Sequence, residues 1–212
     1  MISSSKLRTM LELQNKLNAK INPDWLNAGY AWHRAIMVEG IELLEHFGWK
    51  WWKKQTPNIA QAKIELVDIW HFALSMYLVL HNGDVDNAAA ELKEDVSPLW
   101  TMRDTTTTTL IEVLVAAAAR DGHFNAASFT SLMHDLGLSW SELYSTYVAK
   151  NVLNMFRQDH GYKEGTYEKD WGGVEDNVRL EQLMVAAPDA TPGQLYEHLE
   201  AHYVKDCLWL SQ

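Results

Sequence analysis

One cysteine in 212 residues leaves no partner for an internal disulfide and no thiolate metal cluster. Cys207 lies near the C-terminus in no context that marks a nucleophile, and the reading is a reduced, intracellular protein. Proline is scarce, at five residues, so long helices can run unbroken. No apolar core follows the N-terminal MISSSKLRTM, which argues against a secretory leader. The most apolar run, Ile64 to Leu80, is short of a bilayer span and carries Glu65, Asp68 and His71. Positive charge is also short. Eighteen Lys and Arg against 28 Asp and Glu give a formal charge of −10, which disfavours duplex nucleic acid and anionic membranes as general partners. The glycines at 161, 165, 172 and 173 do not form a P-loop.

What is present is helical periodicity over a 47% apolar composition. The spacing predicts helices over Ser5–Lys20 and Tyr30–Phe47, the second ended by Gly48. A third is expected from Thr56-Pro57 to about His81. Residues 86–95 form a short helix ended by Ser97-Pro98, and the threonine run 105–109 starts one carrying Leu110 to Arg120. Asn125–Leu136 follows. Ser139 and Glu142 spell a capping box for a long helix to about Asp159. After a Gly-, Tyr- and Lys-rich loop come Glu175–Val185 and a last helix opened by Thr191-Pro192, carrying Leu195, Leu199, Tyr203 and Leu208. No strand pattern, repeat or linker competes, so the expectation is one all-α domain, a multi-helix bundle over 1–212.

The third helix is apolar on nearly every side, yet holds Glu65 and Asp68 three residues apart on one face. The second repeats this with Glu39 and Glu42 among Ile36, Met37, Val38, Ile41 and Leu43. One such pair is ordinarily a solvated face. Two pairs on apolar helices, with no Lys or Arg at i±4, need another explanation, because unpaired buried carboxylates are strongly disfavoured. Packed face to face, the four acids would converge on a hard divalent cation; oxygen ligands point to Mg²⁺, which keeps waters and bridges to substrate phosphates. Glu45, at the helix end, is expected in solvent.

A second cluster begins on the helix after Ser139. Lys150, Asn154 and Arg157 line one stripe at i, i+4, i+7. The following loop adds Tyr162, Lys163, Tyr167 and Lys169, and Asn177 comes after it. Lys as a point charge, Arg as a fork, and Asn and Tyr as neutral donors suit phosphate oxygens. Asp159, Glu164, Glu168 and Asp170 offset the charge, so a mixed solvated surface is the alternative.

Together these segments resemble the dimeric all-α dUTPases, within the all-α NTP pyrophosphatase superfamily. The resemblance rests on Leu13-Gln14-Asn15-Lys16-Leu17-Asn18, Glu39-Gly-Ile-Glu42 and Trp49-Lys50-Trp51-Trp52-Lys53. It continues in Glu65-Leu-Val-Asp68-Ile-Trp-His71-Phe72 and the string KNVLNMFRQDHGYKEGTYEKDWGGVEDN from Lys150. Residues 83–138 carry no matching motif. The resemblance implies hydrolysis of dUTP, and of dUDP, to dUMP by a cytoplasmic homodimer (in host cytoplasm if the source is a phage). It implies two or more Mg²⁺ on Glu39, Glu42, Glu65 and Asp68, with Glu39 or Glu42 as general base. Gln14 and Asn18 would read the base edge, and Phe72 with Trp49 or Trp52 would wall it. His71 is expected to be a satisfied core histidine. A dCTPase–dUTPase, a broader dNTP pyrophosphatase, and a non-catalytic helical binding module remain as alternative readings.

Overall fold

A computed structural model describes residues 2–97 and 105–207, with side chains to residue 203. Pro98, Leu208 and the Cys207 side chain lie outside the described residues. Among those described there are nine helices and no strand: α1 (Ser4–Ile21), α2 (Trp32–Glu45), α3 (Ile59–Leu80), α4 (Val85–Asp95), α5 (Thr107–Asp121), α6 (Ala126–Asp135), α7 (Trp140–Asp159), α8 (Asp176–Ala186) and α9 (Pro192–Cys207). The all-α class stands. No helix among the described residues is long and apolar enough to cross a membrane.

Local chemistry explains most of the boundaries. The Ser139 hydroxyl accepts from Glu142 N–H while the Glu142 carboxylate accepts from Ser139 N–H, the reciprocal cap expected at α7. Thr106, inside the threonine run, caps α5 by accepting from Thr109 N–H. At α3 the expected start moves. Thr56-Pro57 stays outside the helix, and Asn58 caps it by accepting from Gln61 N–H. A side-chain amide that reaches N3 outcompetes the threonine. α2 also ends early, at Glu45, and Gly48 (φ +65) turns the chain beyond it.

α3 is the central element. It touches α1, α2, α4, α6 and α7, and Leu66, Val67, Ile69, Trp70, Ala73, Leu74 and Leu78 are buried. Trp70 is fully buried, stacks on Phe129 at 5.2 Å between ring centroids, and donates its indole N–H to Met10 Sδ. α2 lies between α3 and α5, and there Gly40 is a packing residue. A Cβ on it would meet Val115 Cγ2 at 2.5 Å. α2 differs from the sequence expectation. Only Ile36, Gly40 and Leu43 are buried, while Val38 and Ile41 are exposed.

α7 serves two cores. Leu143 and Tyr147 join the core built around α1 and α3. Ala149, Val152, Leu153 and Phe156 join a second core with Tyr167, Trp171, α8 and α9. Helical periodicity puts both sets on one element. Its crossing of α3 brings Lys150 to the acid pairs.

Candidate active site

The acids of α2 and α3 converge. Ligand oxygens of Glu39, Glu42 and Glu65 come within 4.8 Å of one another. Asp68 is not part of that close group. It is instead ion-paired with Lys150 Nζ at 3.0 Å. The acids have no Lys or Arg at i±4, but a cation reaches them from a distant helix. α7, far away in sequence, supplies Lys150, which is 5% exposed and also donates to Asn177 Oδ1 at 3.2 Å. His46 adds a second partner, at 3.0 Å from Glu65 Oε1.

The residual acid density is still high. Burial pushes the Glu39 carboxyl up to about 8, and Asp68, Glu42 and Glu65 push the same way; Lys150 pulls against them. Burial also raises Glu65, opposed by the His46 hydrogen bond and reinforced by Asp68 and Glu42. Three carboxylates this close, one of them desolvated enough to retain its proton near neutrality, suit a divalent cation.

Two cavities meet at these acids and share Glu39, Asp68, Lys150 and Arg157 in their walls. One, of about 410 Å³, is lined by the three close acids with Lys150, Lys169 and Asn177, and by Gln61, Thr146, Glu175 and Glu181, which the sequence reading missed. The other, of about 490 Å³, is lined by Gln14, Asn18, His71, Phe72, Asn154 and Tyr162, with Tyr30 and Trp32. A cleft of this size, polar at one end and aromatic at the other, fits an amphipathic small molecule.

The aromatic end carries a wired polar network. Gln14 Nε2 donates to Asn18 Oδ1, Asn18 Nδ2 donates to Ser75 Oγ, and Ser75 donates to the His71 carbonyl. The Tyr147 hydroxyl lies 3.1 Å from Gln14 Oε1 and 2.8 Å from the Met10 carbonyl. His71 Nδ1 lies 2.9 Å from Gln14 Oε1. That oxygen only accepts, so Nδ1 carries the ring proton. Burial holds His71 neutral, its pKa lowered to about 3. Nε2 is then a buried acceptor that meets no hydrogen-bond partner among the described residues. His71 was expected to be satisfied. The structure satisfies one nitrogen and leaves the other buried without a partner among the described residues, on a residue that lines the second cavity.

Other expected site residues are placed differently. Trp49 and Trp52 line neither cavity. They pack edge-to-face on each other in the turn after Gly48, exposed, with Trp49 donating to Glu45 Oε1. Glu45 also pairs with Lys50. Trp32 takes the wall position instead, 6.3 Å from Phe72 between centroids. It lies seven residues before Glu39 on the same helical stripe, a signal the sequence offered. The Arg157 fork is occupied. Nε and Nη2 donate to Asp176 at 2.8 Å each, and Nη1 donates to Asn154. Asp176 is fully buried and needs a cation, which is the physical reason. Burial pushes its carboxyl up, but the Arg157 pair more than offsets this and holds it below the usual range. Tyr167 donates its hydroxyl to the same acid, and Lys163 donates to the Ile21 carbonyl, outside both cavities. Lys169 and Arg157 both approach the Tyr162 ring, at 5.5 and 5.7 Å from its centroid.

An all-helical fold with a carboxylate cluster at the junction of a charged and an aromatic cavity defines the class. Residues 6–162 match the model of a dUTPase family, and the chain belongs to that family. Membership supports hydrolysis of dUTP as the general activity. Lys163, Tyr167, Lys169 and Asn177 lie beyond the matched residues. No curated protein matches the chain.

Proposed function

We propose that the chain hydrolyses dUTP to dUMP and pyrophosphate, and dUDP to dUMP and phosphate, in a Mg²⁺-dependent reaction. The observation that carries this reading is the convergence of Glu39, Glu42 and Glu65 within 4.8 Å, where the two cavities join. Two or more Mg²⁺ held by these carboxylates, with Asp68, would offset phosphate charge and lower the pKa of a water.

The remaining roles fall to the chain's own groups. Lys150, Lys169, Asn177, Asn154 and Tyr162 grip the phosphate chain and sugar from the cavity walls. Glu39 or Glu42 takes the proton of the attacking water. Arg157, Tyr167 and Lys163 brace the segment that carries Lys169. Phe72 and Trp32 wall the base, while Gln14 and Asn18 each retain an amide N–H for its carbonyls. His71 Nε2 accepts from a ring N–H. Uracil presents N3–H there, whereas cytosine presents a second acceptor, so the histidine favours uracil. The reading includes a homodimer acting in the cytoplasm, checked by light scattering and fractionation.

The test is a panel of dUTP, dUDP, dCTP, dTTP and UTP, each with Mg²⁺ and with EDTA. Mg²⁺-dependent dUMP from dUTP and dUDP alone is expected. Comparable cleavage of dCTP would replace strict uracil selection with a dCTPase–dUTPase. No turnover of any nucleotide would reject catalysis.

A further inference from the structure

His46 stands where the two acid-bearing helices meet, and the function described above gives it no role. It caps the C-terminus of α2 with helical backbone (φ −75, ψ −7) and lies four residues after Glu42, on the same face. Its carbonyl accepts from Asn58 N–H at 2.8 Å. Asn58 is the cap of α3, so this bond ties the end of α2 to the start of α3. Its side chain reaches the same helix one turn and more further on, with Nε2 3.0 Å from Glu65 Oε1. The imidazole is 25% exposed and Glu65 12%, so the contact is shielded, and both groups have little freedom to move apart.

We propose that His46 is a positioning residue, which orients Glu65 toward Glu39 and Glu42 by donating Nε2–H to one carboxylate oxygen and leaving the other for the cation. The proposal rests on the reading that these acids bind a divalent cation. A glutamate free to rotate samples several rotamers, and ordering it at the moment of binding weakens affinity. A hydrogen bond from the neighbouring helix fixes that choice beforehand. Partners of this kind are worth roughly 10- to 100-fold in metal affinity. Glutamine can substitute, since its Nε2–H lies the same number of bonds from Cβ as the imidazole Nε2–H.

The experiment is Mn²⁺ titration of the full chain, followed by the free-ion EPR signal and by calorimetry, without nucleotide. Wild type is compared with His46→Phe, His46→Gln, Glu65→Gln and Glu39→Gln, and circular dichroism establishes the fold of each. Weaker binding by about tenfold or more in His46→Phe, largely recovered in His46→Gln, is the expected result. A steric or stability role would not separate those two variants in this way. Loss of Mn²⁺ binding in Glu65→Gln and Glu39→Gln, with His46→Phe within twofold of wild type, would overturn the positioning role and leave the metal site intact. Wild-type binding by both acid variants would overturn the metal reading, and the role of His46 with it.

Discussion

Glu39 makes a quantitative prediction about proton release. With its carboxyl pushed up to about 8, roughly 90% of molecules hold a proton there at pH 7 and roughly 10% at pH 9. A cation needs the ionised form, so binding at pH 7 expels about 0.9 proton from this residue and at pH 9 about 0.1. Apparent affinity should therefore rise about tenfold, or about 1.4 kcal/mol, from pH 7 to pH 9 on account of Glu39. Glu65, also raised, shifts the total in the same direction. Calorimetric titration of Mg²⁺ at each pH, in two buffers of different ionisation enthalpy, measures the proton count. Glu39→Gln removes the Glu39 share. A count at pH 7 that is the same in wild type and in Glu39→Gln would refute the reasoning. The sign for stability without metal is fixed by the same shift. The folded protein favours protonated Glu39, so this contribution is full below about pH 4.5 and is lost as pH rises through about 8, its size reduced by solvent screening at this partly open position. Thermal unfolding in EDTA should fall across that window, and Mg²⁺ should restore more stability at the alkaline end.

Three further outcomes are expected. Glu42 is exposed, so Glu42→Gln should leave the melting temperature within a degree or two while lowering kcat by roughly 100-fold or more; near-normal kcat would remove it from the metal site. Asp176→Ala leaves Arg157 buried and unpaired and should cost about 3–5 kcal/mol in urea unfolding. A loss under 1 kcal/mol would mean that water reaches the guanidinium. His71→Asn disturbs the buried acceptor, and the ratio of kcat/KM for dUTP over dCTP should drop by tenfold or more. An unchanged ratio would assign base selection to Gln14 and Asn18 alone.

Element identity was readable because capping and periodicity act locally. Ser139 and Glu142 announce α7, and the threonine run announces α5. The start of α3 was misjudged where two local signals, Thr56-Pro57 and Asn58, stood side by side. Both acid pairs were readable for the same reason, since three-residue spacing fixes a face. Their partners were not. Lys150 reaches Asp68 only because α7 crosses α3, and Asp176 claims Arg157 only because the loop between them folds back. Periodicity gives the face of a helix, not the neighbour that face will meet. His46 is the intermediate case, readable as the residue one turn after Glu42 but meaningful only once Glu65 is opposite it.

The double duty of α7 bears on where this protein could be cut or fused. The family match ends at residue 162, which invites treating the remainder as an appendix. Severing the chain there would strip Tyr167, Trp171, Leu180 and Leu199 from the far side of α7 and bare Leu153 and Phe156 to water. It would also leave Arg157 facing the vacated berth of a buried acid. The helix that holds Lys150 against the acids is thus clamped along its whole length by two halves of the sequence. A tag or graft belongs beyond α9, and a shortened version ending at the family boundary would be a different, stickier molecule.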